Sequence, residues 1–155
     1  MELVDVEVRL SVESERLAQL MELFAAEWWT AGRRPDDVAA MLTASDLVFA
    51  LVERSTDRLV GFARVLTDGV YLACVLDVIV ASHARGSGIG RVLLDAIVDH
   101  PRLAGVRSIE LVCQPELMPF YRNWGFTEEV GRSRLMRRSC DPRLAPAPPP
   151  PRDHK

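Results

Sequence analysis

Asp77-Val78-Ile79-Val80-Ala81-Ser82-His83-Ala84-Arg85-Gly86-Ser87-Gly88-Ile89-Gly90-Arg91-Val92-Leu93-Leu94 passes from an apolar stretch, through a glycine-rich turn, into an apolar-striped one. Val70 to Val80 is apolar except at Asp77 and reads as a long strand. Val92, Leu93, Ala96 and Ile97 recur at helical spacing, and that helix stops near His100-Pro101. Where such a helix begins, backbone N–H groups point outward unpaired and the helix dipole adds partial positive charge. Gly86, Gly88 and Gly90 let phosphate oxygens approach, while Arg85 and Arg91 bracket the turn with positive charge. Alone, the loop reads either as a phosphate site or as a glycine turn that merely connects strand to helix.

Working outward, Val4, Val6, Val8 and Leu10 alternate with polar residues as a half-buried first strand does. Leu17, Leu20, Met21, Phe24 and Trp28 follow helical spacing, and Ala31-Gly32-Arg33-Arg34 breaks that helix. Pro35, with Asp36 and Asp37 in the first turn, opens a second helix. Leu47 to Glu53 and Leu59 to Leu66 form a hairpin, and Thr67-Asp68-Gly69 turns into the long strand. Ser108 to Cys113 is a strand and Met118 to Trp124 a helix, with Gly125 as its left-handed cap. Short strands are expected around 126–130 and 134–138. The order β-α-α-β-β-β-α-β-α-β-β holds one crossover helix, so the sheet is expected to be mixed. Asp141 to Lys155 holds six of the ten prolines and little to pack. The chain thus divides into a domain over 1–139 and a disordered or polyproline tail over 140–155.

The 155 residues suffice for one domain with a core. Apolar residues at 48% and charged residues at 26% describe a soluble globular protein. A net charge of −3 gives no nucleic-acid footprint, so an anionic ligand must be held by local donors. Met1-Glu2-Leu3 opens no basic-then-apolar leader, and the apolar run Val70 to Leu76 is too short for a bilayer. Cys74, Cys113 and Cys140 are odd in number and lack metal-site spacing, which predicts a reducing compartment, by default the cytoplasm, and no metal.

Three ligand classes compete for the glycine loop. A P-loop needs Lys-Ser or Lys-Thr after its last glycine, and neither is present. A dinucleotide loop counted from Gly86 would need its third glycine at Arg91, though Glu110 stands where a ribose-binding acid is expected. That reading is weakened and stays open. The third pattern, Arg85-x-x-Gly88-x-Gly90 followed by Val92-Leu93-Leu94, resembles the acetyl-CoA loop of the GNAT superfamily of N-acetyltransferases. Phe120-Tyr121-Arg122-Asn123-Trp124-Gly125-Phe126 is similar to the Y-x-x-x-G-F segment of the same family. With the strand order, the resemblance covers residues 4 to 138.

The resemblance implies an α/β (α+β) fold: a mixed, mostly antiparallel sheet flanked by helices, with the acyl-CoA loop between the fourth strand and third helix. It implies acetyl-CoA as co-substrate and transfer to a primary amine, of a small molecule or a protein, in a ternary complex. The backbone of Val78, Ile79 and Val80 would meet the pantetheine arm. Gly86, Ser87, Gly88, Ile89, Gly90 and Arg91, with Arg85 beside them, would meet the pyrophosphate. A backbone N–H of the strand would polarise the thioester carbonyl. Tyr121 matches the family tyrosine that protonates the departing thiolate.

Asp77 is read from its own position. A carboxylate in an apolar strand is costly unless paired, exposed or functional, so it is a candidate base, an anchor for a cationic acceptor, or an ion-paired structural residue. The segment Glu27 to Pro35 is a natural acceptor wall. It and the Asp77–Tyr121 pair look like the subgroup of plant serotonin-type, plastid and uncharacterised bacterial N-acetyltransferases. Trp29 is expected either to stack on an aromatic amine or to pack the sheet, Trp28 to pack the sheet, and Arg33 to face the acceptor or solvent. Gln114 stands where many family members carry asparagine. Cys74 and Cys113 lack a His–acid partner and read as small hydrophobes. A non-catalytic acyl-CoA-binding regulatory module is the rival reading, and it would need neither Tyr121 nor Asp77. A homodimer edge is expected from the two C-terminal strands.

Overall fold

The computed structural model describes residues 5–150 and 152, so the Val4 expectation lies outside the described residues. Five strands make one sheet in chain order: β1 Val6–Arg9, β2 Leu47–Glu53, β3 Arg58–Thr67, β4 Leu72–Val80 and β5 Ser108–Leu111. Neighbours from β1 to β4 run antiparallel, while β5 lies parallel to β4. The helices are α1 Leu17–Ala25, α2 Pro35–Ala44, α3 Ile89–Val98 and α4 Met118–Arg122. The sheet is mixed and mostly antiparallel, as the hairpins and single crossover α3 require.

Local chemistry fixes the turns. Asp57 ends the β2–β3 hairpin at φ 57°, and Arg16 donates to its carbonyl (2.7 Å) and carboxylate (2.8 Å), fastening the start of α1 to the turn. At the β3–β4 turn the Asp68 carboxylate accepts the N–H groups of Val70, Tyr71 and Leu72, and Gly69 supplies φ 76°.

The two faces follow from the register. Phe62 pairs with Ala50 and Phe49 with Ala63, so the two phenylalanines project to opposite sides. Phe62 meets Phe24 of α1 edge-on at 5.7 Å, whereas Phe49 meets His100, just beyond α3, at 5.8 Å. Helices α1 and α3 therefore cover opposite faces. Leu20, Phe24, Phe62, Leu93 and Ile97 are all at most 1% exposed.

Three expectations are corrected. Helix α1 ends at Ala25, not Trp28, and Trp28 is 54% exposed rather than packed on the sheet. Its neighbour Trp29 takes the core contact. The strands expected around 126–130 and 134–138 are not formed: among the described residues the chain after Gly125 is turns and irregular structure. Six charged residues crowd 128–138, and Leu135 and Met136 are 69% and 93% exposed, so nothing there is buried to offset ordering the backbone. The sheet ends on β5, and the dimer edge those strands were to supply is absent. Within 140–155, Asp141–Ala145 forms a turn, and Arg143 donates to the carbonyls of Trp28 (2.7 Å) and Ala31 (2.8 Å).

Candidate active site

The cleft begins where two strands part. Pairing between β4 and β5 runs from Leu72↔Ser108 to Val75↔Leu111, but β4 continues to Val80. Beyond Val75 its β5-side edge has no strand partner among the described residues. On its other side Phe62 pairs with Ile79 and Arg64 with Leu76, so Asp77 and Val78 together oppose Ala63. This bulge bends β4, and Asp77 absorbs it at φ 56°. A left-handed backbone costs a non-glycine residue roughly 1–2 kcal/mol, least for Asp or Asn.

The open edge leads straight into the glycine loop. Ser82–Ala84 makes one 3-10 turn, and Gly86 and Gly88 sit at φ 79° and 85°. Gly88 is the N-cap of α3, which starts without a side-chain cap. The first-turn N–H groups of Ile89, Gly90 and Arg91 are therefore presented outward. A Cβ on Gly86 would meet nothing within 4 Å, so its need for glycine is conformational. Gly90 differs: its φ is not positive, but a Cβ there would stand 3.1 Å from Cζ of Phe120. This third glycine admits a ring. Arg85 is 58% exposed at its side chain and is paired with Glu27, and His83 is exposed.

Phe120 in turn seats Tyr121. Trp124 donates to Asp95 of α3 (2.9 Å), and Gly125 closes α4 at φ 85°, the left-handed cap expected. Tyr121 is 6% exposed, between Phe120 and Phe126, and burial followed by the nearby Cys113 pushes its phenol up to about 12. It stays protonated at any physiological pH. Burial, then Glu116, raises the Cys113 thiol, which makes Cys113 a poor nucleophile.

Asp77 is 9% exposed and committed to two arginines. Arg33 donates Nη1 to Oδ2 (2.7 Å) and Nη2 to Oδ1 (3.0 Å), and Arg64 donates Nε to Oδ2 (2.7 Å). Burial raises its pKa, but the hydrogen bonds and charges of Arg33 and Arg64 outweigh that and hold it below the ordinary carboxyl value. Asp77 is thus ionised and weakly basic. Arg33 is not a solvated loop charge, because its guanidinium also lies 4.7 Å over the Phe24 ring.

The α1–α2 loop has three further ties. Buried Thr30 donates its hydroxyl to the Phe24 carbonyl (2.7 Å). Oriented by its neighbours, the Gln114 amide accepts from the indoles of Trp28 and Trp29 (3.3 Å each) and donates to Glu116 (2.9 Å). Arg143 holds two carbonyls of the same turn. Of the residues that sequence reasoning passed over, Arg64 carried a usable signal, a charge inside the apolar run Leu59–Leu66. Glu27 and Arg143 carried none, since their contacts span 58 and 115 positions.

A split parallel pair ending in a left-handed glycine loop, with a buried tyrosine seated against the same helix, restricts the possible relatives. The family described as Acetyltransferase (GNAT) family matches residues 15–126. The chain belongs to the GNAT family. Among GNAT relatives, the chloroplastic serotonin N-acetyltransferase 2 of Oryza sativa subsp. japonica is 34% identical over 131 residues, 83% of this chain and 65% of that protein. The ycf52 N-acetyltransferase of Porphyra purpurea is 31% identical over 116 residues, 73% of this chain and 66% of that one. Each alignment spans slightly less than two thirds of the relative's length. A GNAT-family acetyltransferase crystal structure from Xanthomonas campestris pv. campestris superposes with a TM-score of 0.75 at 28% identity, covering 88% of this chain and 94% of that one. No helix among the described residues is long and apolar enough to cross a membrane.

Proposed function

We propose that this protein is an N-acetyltransferase that moves an acetyl group from acetyl-CoA to a primary amine. The observation carrying this reading is the continuity of three features: the unpaired β4 edge from Leu76 to Val80, the loop Gly86–Gly88 opening α3, and Tyr121 packed through Phe120 onto Gly90 of α3. The residues fit acetyl-CoA. The backbone of Val78, Ile79 and Val80 offers extended polar groups to the pantetheine amides. Gly86, Gly88, Ile89, Gly90 and Arg91 offer the pyrophosphate N–H groups at a positive helix end, and Ser87, whose N–H and hydroxyl donate to the Ala84 carbonyl, holds the turn between them. Arg85 joins them on leaving Glu27.

In the transfer, the acceptor nitrogen forms a bond to the acetyl carbon and the carbon–sulfur bond breaks. The Val78 N–H donates to the carbonyl oxygen where negative charge gathers. Tyr121 gives its proton to the sulfur as it leaves, a role that its protonated state suits. An alkylamine of pKa near ~10.4 is about three units from deprotonation at neutral pH, a cost of roughly 4 kcal/mol. We assign removal of that proton to water in the cleft rather than to Asp77, whose oxygens are occupied by Arg33 and Arg64. Asp77 is instead a positioning residue that fixes both arginines.

The acceptor wall is the α1–α2 loop, with Trp28 the exposed aromatic face and Trp29 and Arg33 its packed support. Three free cysteines suit a reducing compartment such as the cytoplasm. Thermal-shift titration with acetyl-CoA, NAD and ATP tests the ligand class, and thiol release from acetyl-CoA over an amine panel tests the reaction. A shift with acetyl-CoA alone and amine-dependent thiol release are expected. No response to any CoA thioester would sink the proposal, and binding without release would leave the regulatory module.

A further inference from the structure

On the α1 side of the sheet, the β3–β5 part of the face below Arg64 is partly exposed, whereas Val48 of β2, the other partner of Arg64, is buried. Arg64 pairs with Leu76, Leu66 with Cys74, and Cys74 with Glu110, so these side chains share one face. Leu66 is 39% exposed, and Cys74 and Leu76 are partly exposed. On the reverse face Val65, Ala73 and Val75 are 0–2% exposed. This part of the face adjoins the stretch where β4 leaves β5, and its upper border is the Arg33–Asp77–Arg64 cluster.

That cluster is unbalanced. Two guanidinium groups share one carboxylate, leaving a surplus positive charge. Arg33 spends both Nη groups on Asp77, whereas Arg64 spends only Nε. The two Nη groups of Arg64 make no hydrogen bond among the described residues. Since no described side-chain nitrogen or oxygen is both buried and unpaired, they reach solvent through a side chain that is 17% exposed. Held at Nε, Arg64 presents a planar fork of fixed orientation, the donor geometry that matches a carboxylate or phosphate.

Resting on the acetyltransferase reading, we infer that Arg64, oriented by Asp77, binds an oxyanion carried by the acceptor, so that the substrate is a primary amine that also bears a carboxylate or phosphate. The bulge sets Asp77 and Val78 together opposite Ala63, the residue next to Arg64 in β3, so the fork and the proposed reacting centre lie on neighbouring rows of the sheet. An amino acid or an aminoalkyl phosphate carries both the amine and the oxyanion that this arrangement would take. Polyamines and lysine-rich peptides would bring a second positive charge against the surplus one.

The test uses the full chain, acetyl-CoA and four amines of one length: hexylamine, 6-aminohexanoate, 6-aminohexyl phosphate and 1,6-diaminohexane. Thiol release is expected with kcat/KM higher for both anionic amines than for hexylamine, and lowest for the diamine. The two anionic amines distinguish carboxylate from phosphate. R64Q is expected to collapse the anionic-to-neutral ratio by on the order of tenfold to a hundredfold, mostly in KM, the usual worth of a charged hydrogen bond. R64K keeps the charge without the fork and should retain part of the ratio; it serves where R64Q no longer shows an acetyl-CoA thermal shift. Equal rates for anionic and neutral amines, or an equal loss on all four in R64Q, overturns the assignment while leaving the acetyltransferase reading intact. Acetyl-CoA binding without thiol release from any amine removes the transfer reading, and this one with it.

Discussion

Arg33 and Asp77, forty-four positions apart, meet in a two-point ion pair, Nη1 to Oδ2 at 2.7 Å and Nη2 to Oδ1 at 3.0 Å. The pair joins the α1–α2 loop to the bulge of β4. It fixes the height of the α1–α2 loop over the sheet, and it keeps a strained aspartate at φ 56° in place.

Asp77→Asn therefore tests stability before it tests chemistry. Asparagine tolerates the left-handed backbone but leaves two guanidinium groups facing each other. We expect a loss of about 2–3 kcal/mol at neutral pH, below the 3–5 of a fully buried pair because both arginines still touch water. The folded pKa of Asp77 lies below its unfolded value near ~3.9, so its contribution is present above that value and is lost as pH falls through the folded one. Urea midpoints of wild type and variant should converge in acid. An undiminished gap there would contradict the ion-pair account.

Tyr121→Phe should lower kcat by roughly 10²–10⁴-fold, the usual worth of a general acid, while acetyl-CoA binding is kept. With the phenol at about 12, the wild-type rate should climb with pH as the acceptor amine deprotonates, with no fall from tyrosine ionisation below about pH 11. A Tyr121→Phe enzyme with the wild-type rate would remove the tyrosine from the reaction.

The glycines separate by substitution. Gly88→Ala places a side chain at φ 85°, costing roughly 1–2 kcal/mol and weakening acetyl-CoA binding. Gly90→Ala instead pushes Phe120, whose ring comes within 3.1 Å, and with it the adjoining Tyr121. We expect Gly90→Ala to lower kcat more than acetyl-CoA affinity; calorimetry and thiol release together distinguish the two.

Arg85 is paired with Glu27, and the proposed pyrophosphate contact would require it to leave that partner. Glu27→Gln releases that arginine and should tighten acetyl-CoA binding a few-fold, because an exposed ion pair is worth about 0–1 kcal/mol. Weaker binding in the variant would show that Glu27 orients Arg85 for the cofactor instead.

Much of the fold was legible from pattern alone. The Leu47–Glu53 and Leu59–Leu66 hairpin, the long β4, α3 after the glycines and Gly125 as a left-handed cap all rest on local chemistry, and the structure contains them. The expected strands near 126–130 and 134–138 failed because alternation there is weak and β5, only four residues long, offers no partner beyond Leu111. Trp28 was misplaced because helical spacing was extended past Ala25, where α1 ends. Beyond that point the helical period no longer sets which side chain faces the core, and Trp29 rather than Trp28 packs against it.

The sequence by itself determined the family, the loop and the tyrosine, because each is carried by a contiguous motif whose backbone geometry follows from its glycines. Only tertiary structure decided what Asp77 does. A carboxylate in an apolar strand is equally a base, an anchor or half of an ion pair until its neighbours are known, and Arg33 and Arg64 come from a different loop and a different strand. Their charge, gathered by folding, keeps that carboxylate ionised and leaves the Nη fork of Arg64 reaching solvent.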